Sequence, residues 1–168
     1  IFMDIKSSEL TKYASNAMLS TKISFMNEMA IIAEKVGADI NEVRKGIGSD
    51  SRIGYSFIYP SVGYGGSCFP KDIHAIINFS NKENFNPDIL CSVNKVNDSQ
   101  KKYFFKKIKK RFSKNNKFIN KCFGIWGLSF KPGTDDMRES SSLYIVNEII
   151  KMGARVKVYD PQAMEDDG

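Results

Sequence analysis

The chain has 168 residues, 42% of them hydrophobic, which is enough for one compact domain or two small ones. No apolar run approaches the roughly 18 residues of a membrane span, and the N-terminus lacks the basic and apolar segments of a secretory signal. The net charge of +6 is moderate, and lysines concentrate between Lys101 and Lys121.

The three cysteines, Cys68, Cys91 and Cys122, are widely spaced and form no CxxC pair. An odd number at this spacing argues against a disulfide framework and against a zinc site. A reducing compartment suits such residues best. We therefore predict a cytoplasmic protein that holds no metal and does not associate with a membrane.

The first predicted element is a long helix over residues 7–36, where apolar side chains recur every three or four positions. At about 1.5 Å per residue it would be about 45 Å long, more than a small domain needs to cover its own core. We therefore predict that it also forms a seam in a homodimer or larger homo-oligomer. Gly37 ends the helix, and Asp39 to Glu42 match a capping box that starts a short second helix reaching about Ile47.

Lys12 and Asn16 stand four residues apart on the long helix and therefore share one face. This face lies opposite the stripe of Leu10, Ala14 and Ala17. Judged from the residues alone, it is a solvated face without a chemical role.

Residues 48–67 have glycines, aromatic side chains and little periodicity, which predicts a long irregular loop leading to Cys68. The preceding pair Gly65-Gly66 tolerates positive φ and close approach of a neighbouring group. Pro70 suits the first turn of a helix that the apolar spacing extends over about residues 71–80. The start of that helix would stabilise a Cys68 thiolate and prepare a nucleophile, although a small buried cysteine is an equally good interpretation.

A polar break at residues 81–87 follows, and residues 89–97 resume a helical pattern. The basic stretch after them has phenylalanines along one stripe, which predicts an amphipathic helix packed by its apolar side. Basic segments interleaved with aromatic residues can bind nucleic acid, but the single stripe favours the packed helix, and we predict no nucleic-acid partner. Residues 113–117 are typical of a linker.

Beyond the linker the pattern is that of an α/β unit. A buried strand over 122–127, a helix over 140–152 and a strand over 155–159 form a β-loop-α-β arrangement. A sheet of two strands cannot stand alone, so we expect this domain to be truncated at Gly168. Likewise, because the chain begins at Ile1 without methionine, we expect a preceding segment.

Four segments occur in a fixed order, with a short closing one: SELTKYASNA at 8–17, GSDSRIG at 48–54, GYGGSCFPKD at 63–72, GLSFKPGTDDMRES at 127–140 and VYDP at 158–161. In text and spacing they resemble the UDP-glucose 6-dehydrogenase family of nucleotide-sugar dehydrogenases, and the resemblance covers essentially the whole chain.

The resemblance implies an NAD-binding Rossmann domain before Ile1, because no GxGxxG motif occurs in this sequence. This chain would follow as a mainly α central domain with a long dimerisation helix and a truncated Rossmann-like βαβ unit. By itself it should not carry out the reaction. The expected parts are a central helical dimerisation and catalytic domain (1–98), a basic helix with linker (99–118) and the start of a UDP-sugar-binding domain (119–168).

The implied reaction is the two-step oxidation of UDP-glucose at sugar C6 to UDP-glucuronate, with two NAD and one water. Cys68 would be the nucleophile, carrying first a thiohemiacetal and then a thioester. Asp72 would position the cysteine and the water, Lys12 would donate to the oxyanion at C6, and Asn16 would orient a substrate oxygen or water. A plain alternative is that Asp72 only stabilises the first turn of its helix.

The resemblance also implies binding contacts. Arg52 is expected to reach the substrate of a neighbouring subunit, and two residues, Lys71 and Arg138, match contacts to NAD. The aromatic residues of the loop, Phe57 and Tyr59, could equally be loop anchors. Arg138 could instead pair with Asp136 or Glu139. The implied substrate contacts are Arg52, Phe57, Tyr59, Ser61, Gly65, Phe130 and Lys131.

Two other functions stay open. A sister dehydrogenase acting on a UDP-N-acetyl-hexosamine or GDP-mannose would share the Cys68 and Lys131 motifs, whereas residues 48–60 look more like the UDP-glucose branch. A non-enzymatic dimerisation fragment is also physically plausible, because half of the active machinery would be missing from the chain.

Overall fold

The computed structural model of the chain describes residues 1–164. A helical part is followed by a βαβ unit, so the predicted fold class is confirmed. Within the described residues the elements are α1 (Ile5–Val36), α2 (Ile40–Gly48), α3 (Phe69–Lys82), α4 (Asp88–Phe112), β1 (Cys122–Trp126), α5 (Ser141–Lys151) and β2 (Arg155–Tyr159).

Local signals set both ends of α1. The Asp4 side chain caps the helix by accepting a hydrogen bond from the Ser7 N–H at 3.0 Å. At the other end Gly37 adopts a left-handed conformation with φ 76°, and its N–H donates to the Ala33 carbonyl. The helix has 32 residues and is therefore about 48 Å long.

The helical part packs through small and polar side chains of α1. Ala17 forms a core cluster with Ile73 of α3 and Val93 of α4. Ser20 and Ser24 are also buried, because small side chains let the helices approach closely.

The apolar stripe that the sequence analysis set opposite Lys12 and Asn16 is only partly buried. Ala17 is buried, but Ala14 is exposed and Leu10 is 56% exposed. The expectation that the other face of α1 is solvated holds at Lys12, whose side chain is 61% exposed, but not at Asn16, which is half-buried and donates to Asp72 of α3.

One continuous helix, α4, replaces the two helical segments expected over 89–97 and beyond. It has 25 residues and passes through residue 98, where we placed a domain boundary. No glycine or proline interrupts residues 88–112, so the change to a basic composition does not break the backbone. The expected linker at 113–117 is a tight turn closed by a bridge between Lys114 and Lys117.

The βαβ unit packs on the C-terminal half of α4. Strands β1 and β2 are parallel, with Cys122 opposite Arg155 and Trp126 opposite Tyr159. One face of this sheet is covered by α5 and by Phe105 of α4, while Trp126 on the other face is 84% exposed. Helix α4 therefore contributes to both cores. The buried residues of the second core are Phe105, Phe118, Ile145 and Ile149.

Asp160, directly after β2, ties together the two loops at the carboxyl ends of the strands. Its carboxylate accepts hydrogen bonds from the backbone N–H groups of Gln162, Leu128, Ser129 and Ala163. These bonds hold the pKa of Asp160 well below its ordinary value of 3.8. The ionised form therefore stabilises the folded state.

We expect the stability contributed by Asp160 to be lost in acid. Because its folded pKa is depressed, this stability is fully present above about pH 4 and disappears as pH falls from there toward the folded pKa. Asp160→Asn should lower the unfolding temperature at pH 7 and flatten its fall between about pH 4 and pH 2. Thermal unfolding of both proteins across this range measures the effect. Parallel curves would show that Asp160 does not link stability to pH.

Candidate active site

Cys68 is the N-cap residue of α3, and Phe69 and Pro70 form the first turn. The predicted start of a helix beside this cysteine is therefore present. The Asp72 N–H donates to the Cys68 carbonyl at 2.9 Å, which closes the first helical turn. The thiol is exposed, and Cys68 Sγ lies 3.8 Å from Ser67 Oγ. The thiol thus stands at the positive end of a 14-residue helix.

The two glycines before Cys68 let the chain's own residues 138–139 approach. A Cβ built at Gly65 would lie 2.2 Å from the Glu139 carbonyl oxygen. Gly66 has φ 85°, and its N–H donates to the Arg138 carbonyl at 2.8 Å. A Cβ on Gly66 would lie 2.6 Å from the Phe130 ring. The loop of residues 63–68, which we call the nucleophile loop after the role predicted for Cys68, thus lies directly on the loop that precedes α5.

Asp72 gathers the polar residues that the resemblance assigned to catalysis. Its Oδ2 accepts hydrogen bonds from Asn16 Nδ2 at 2.6 Å and from Lys12 Nζ at 3.2 Å. Lys71 Nζ lies 3.6 Å from Oδ1, which has no hydrogen-bond partner among residues 1–164. The Asp72 side chain is fully buried, whereas that of Lys12 is 61% exposed.

The charge state of Asp72 follows from two opposing effects. Burial raises the pKa of this carboxyl group, but the hydrogen bonds from Asn16 and Lys12 outweigh it and leave the pKa below its ordinary value. Asp72 is therefore ionised at neutral pH. A buried carboxylate that accepts from both Asn16 and Lys12 fixes the positions of these two donors.

Beside this cluster lies a cavity of about 680 Å³, which we call the aromatic cavity. It is bounded by α1, by the loop before α3 and by residues 130–131. Asn16 and Cys68 stand in its wall. Six of the residues proposed above as substrate contacts also line it: Phe57, Tyr59, Ser61, Gly65, Phe130 and Lys131.

The loop before α3, which carries the aromatic residues of this cavity, is held in place by residues that the sequence analysis did not select. The buried side chain of Asn27 on α1 accepts from the Ser61 N–H at 2.6 Å. The Arg44 guanidinium of α2 stacks 4.1 Å from the centre of the Tyr59 ring. Phe57 has the left-handed φ of 62°, which costs energy in a residue with a bulky side chain. Of these residues, Asn27 could have been identified from the sequence, because it is a polar residue within an apolar helical pattern.

A second cavity of about 500 Å³, the basic cavity, lies on the other side of the nucleophile loop. Lys71 and Arg138, the residues proposed to contact NAD, both line it, together with Lys101 of α4. Arg138 also pairs with Asp136, with Arg138 Nη2 2.8 Å from Asp136 Oδ2, as the alternative interpretation expected. Hydrogen bonds from Arg138 lower the pKa of Asp136 to about 2.

The nucleophile loop is the partition between the cavities. Gly65 and Cys68 face the aromatic cavity, whereas Gly66 and Ser67 face the basic cavity. A thiol in this partition can react with a molecule in one cavity while a second molecule occupies the other.

Arg52 is not brought to either cavity. Its guanidinium binds Asp50, with Arg52 Nη2 2.6 Å from Asp50 Oδ2, and its side chain is 87% exposed. An arginine in this position is available to a second molecule.

Three further polar side chains on α4 support the site and were not selected from the sequence. Asn97 and Gln100 bond to the loop before Cys68, and Lys101 Nζ donates to the Glu139 carbonyl at 3.2 Å. All three are buried. The sequence feature that could have identified them is the presence of polar residues on the side of α4 that faces the rest of the chain.

Two further observations concern residues 1–164. No helix in this range is long and apolar enough to cross a membrane. No group of three or more His, Cys, Asp or Glu side chains in the same range is arranged to hold a metal ion.

Comparison with known proteins finds matches over most of the chain. Residues 6–99 match the central domain of the UDP-glucose/GDP-mannose dehydrogenase family, and residues 124–168 match its UDP binding domain. A UDP-glucose 6-dehydrogenase of Pseudomonas aeruginosa is 45% identical over 163 residues, which are 97% of this chain and 36% of the relative. A UDP-glucose 6-dehydrogenase of Bacillus subtilis is 46% identical over 161 residues, which are 96% of this chain and 36% of the relative.

Among solved structures, a UDP-glucose dehydrogenase from the hyperthermophilic archaeon Pyrobaculum islandicum has a TM-score of 0.91 and 39% identity. The match covers 97% of this chain and 37% of that one. The chain thus spans little more than a third of the length of these relatives. Because the central-domain match alone covers more than half of its residues, the chain belongs to the UDP-glucose/GDP-mannose dehydrogenase family.

Proposed function

We propose that this chain, in the protein at its natural full length, takes part in the NAD-dependent oxidation of UDP-glucose to UDP-glucuronate. The observation that carries the proposal is the position of Cys68 at a helix N-terminus, in the partition between the aromatic and the basic cavity. Relatives named UDP-glucose 6-dehydrogenase, at 45% and 46% identity, support the choice of substrate.

The aromatic cavity suits a nucleotide sugar. Phe57, Tyr59 and Phe130 offer flat apolar surfaces to a base and a ribose, and Lys131 offers a positive charge to a diphosphate. The volume of about 680 Å³ lies within the usual range for small-molecule sites. The sugar end would then lie toward Cys68 and Asn16.

The basic cavity suits the diphosphate of NAD. Lys71, Lys101 and Arg138 place three cations in its lining against the two carboxylates of Asp98 and Glu139, and cations of this kind bind phosphate oxygens strongly. We assign Lys71 and Arg138 to this contact. When bound there, NAD would supply the hydride acceptor for both oxidations at sugar C6.

Cys68 carries the sugar between these oxidations. Its thiolate adds to C6 of the aldehyde, forms a carbon–sulfur bond and leaves the negative charge on the former carbonyl oxygen. Lys12 and Asn16 stabilise that charge by donating hydrogen bonds. Oxidation of this thiohemiacetal leaves a thioester on Cys68.

Asp72 serves the hydrolysis of the thioester. Its ionised carboxylate keeps Lys12 and Asn16 in place, so that their donor groups orient the attacking water. The water oxygen bonds to C6 while one of its protons passes to solvent, the carbon–sulfur bond breaks, and sulfur leaves as the thiolate. The sugar carboxylic acid then loses its proton, which completes the reaction with one water consumed.

We further propose a homodimer or larger homo-oligomer that forms through α1. Much of the apolar surface of this helix is exposed in a single chain, including Met18, Phe25 and Ile32. Contiguous exposed apolar surface is typical of a protein interface. Arg52, which is exposed and lines neither cavity, would reach the substrate of the neighbouring subunit. We place the protein in the cytoplasm, because the reaction needs Cys68 as a free thiol.

A substrate comparison tests the proposal. The protein at its natural full length should reduce two NAD for each UDP-glucose and release UDP-glucuronate, as measured by NADH absorbance and chromatography of the sugar product. UDP-N-acetylglucosamine and GDP-mannose should give much slower turnover. Absence of NADH with UDP-glucose would overturn the proposal, and faster turnover of one of the other two sugars would assign a sister activity.

A further inference from the structure

Asn97 of α4 makes an unusual pair of hydrogen bonds with the nucleophile loop. Its Oδ1 accepts from the Tyr64 N–H at 2.8 Å, and its Nδ2 donates to the Tyr64 carbonyl at 3.1 Å. One side-chain amide thus satisfies both backbone groups of one residue, as a neighbouring strand would. Asn97 is only 3% exposed, so water does not compete for these bonds.

The contact between α4 and the loop is also close. Gly63 has φ 107°, and a Cβ built there would lie 3.1 Å from Asn97 Oδ1 and 3.2 Å from Lys101 Cγ. Gln100 Nε2 donates to the Ser61 carbonyl at 2.8 Å. The same side of α4 therefore holds the loop at two points, at Ser61 and at Tyr64.

The segment between Tyr64 and Cys68 has little stiffness of its own. Gly65 and Gly66 lack side chains that would restrict their backbone, so the position of the sulfur depends on what holds the two ends of the segment. Helix α3 holds the end at Cys68, and Asn97 holds the end at Tyr64. Between them, among residues 1–164, the Gly66 N–H makes one backbone hydrogen bond, to the Arg138 carbonyl, and Gly65 lies against the backbone of Glu139.

We propose that Asn97 is a positioning residue, which fixes the nucleophile loop so that Cys68 stays in the partition between the two cavities. Asn97 also lines the basic cavity, but both ends of its amide are engaged by the backbone of Tyr64, and through Tyr64 it acts on Cys68. The kinetic part of this inference rests on the proposed function, whereas the effect on Cys68 reactivity does not.

Two substitutions separate positioning from folding. Asn97→Ala removes both hydrogen bonds. Asn97→Asp keeps the shape of the side chain and the acceptor for the Tyr64 N–H, but when ionised it cannot donate to the Tyr64 carbonyl. Tyr103→Phe is the control, because it removes a hydrogen bond from α4 to Glu34 that lies outside both cavities.

The first measurement is the rate at which iodoacetamide alkylates Cys68, followed by mass spectrometry of peptides from the protein at its natural full length. Cys122 on β1 is also exposed and serves as the internal reference. We expect both Asn97 variants to change the ratio of Cys68 to Cys122 alkylation, because the loop that presents the sulfur is then no longer held at Tyr64 by a side chain of α4. Tyr103→Phe should leave the ratio unchanged.

The second measurement is turnover of UDP-glucose. We expect kcat to fall on the order of 10²-fold in Asn97→Ala, with a smaller change in KM. Activity of Asn97→Asp relative to the unsubstituted protein should recover as pH falls, because a protonated carboxyl group again accepts and donates.

The inference would be overturned if folded Asn97→Asp had the same ratio of Cys68 to Cys122 alkylation as the unsubstituted protein. This test remains valid when Asn97→Ala fails to fold. If the unsubstituted protein does not oxidise UDP-glucose, the proposed function fails while the alkylation ratio still decides the role of Asn97.

Discussion

Cys68→Ala is expected to abolish formation of the sugar carboxylate in the protein at its natural full length. Without sulfur at this position no thiohemiacetal and no thioester form, so the second oxidation has no substrate. The first oxidation does not need the thiol. We therefore expect at most one NADH for each UDP-glucose instead of two, and carboxylate formation lower on the order of 10⁴-fold or more. Stopped-flow absorbance of NADH and chromatography of the product measure both quantities.

The matched control for this substitution is Cys122→Ala. Cys122 is also an exposed, unpaired cysteine, but it stands at the start of β1 and lines neither cavity. Its removal should leave turnover unchanged. Retention of two NADH for each UDP-glucose in Cys68→Ala would remove Cys68 from the mechanism, whatever its position in the fold.

The start of α3 could be predicted from sequence because its signals are local. Pro70 is restricted to the backbone conformation of a first helical turn, and the apolar spacing after it is that of a helix. Both properties depend on neighbouring residues alone. The position of Cys68 at the end of a helix followed directly from them.

The cluster around Asp72 could not be predicted in this way. Lys12 and Asp72 are 60 residues apart, and the periodicity of α1 does not say which element will pack on which face. The same limit applies to the exposed Leu10, since α1 packs through small side chains such as Ala17. Only the resemblance of whole motifs connected Lys12 and Asn16 with the chemistry of Cys68.

Helix α4 shows a different limit. Its composition changes near residue 98 from mixed to strongly basic, and this change suggested two elements. Composition reports which side chains face solvent, whereas continuity of a helix depends on the absence of glycine, proline and capping signals. Because α4 is continuous, Asn97 next to the nucleophile loop and Phe105 in the second core belong to one rigid element.

Gly65→Ala is expected to have a second large effect, on stability and on turnover, because Gly65 lies in close contact with Glu139. The added Cβ would lie 2.2 Å from the Glu139 carbonyl oxygen and 2.6 Å from the Glu139 carbonyl carbon, both backbone atoms that cannot rotate away. Either the nucleophile loop or the loop before α5 must move. We expect a loss of stability of about 1–3 kcal/mol from this overpacking.

Movement of the nucleophile loop would also displace Cys68, three residues further along the chain. We therefore expect turnover of UDP-glucose by the full-length Gly65→Ala protein to fall on the order of 10²-fold. Gly46→Ala is the matched control, because Gly46 lies within α2 and a Cβ there meets no atom within 4 Å. In a helix this change should raise stability by up to about 1 kcal/mol and leave turnover unaffected. Gly65 does not have a positive φ, so an alanine there meets no backbone strain and only the contact with Glu139 opposes it. Equal thermal unfolding and equal turnover of the two variants would therefore show that the loops separate without cost. The glycine would then not be required for their contact.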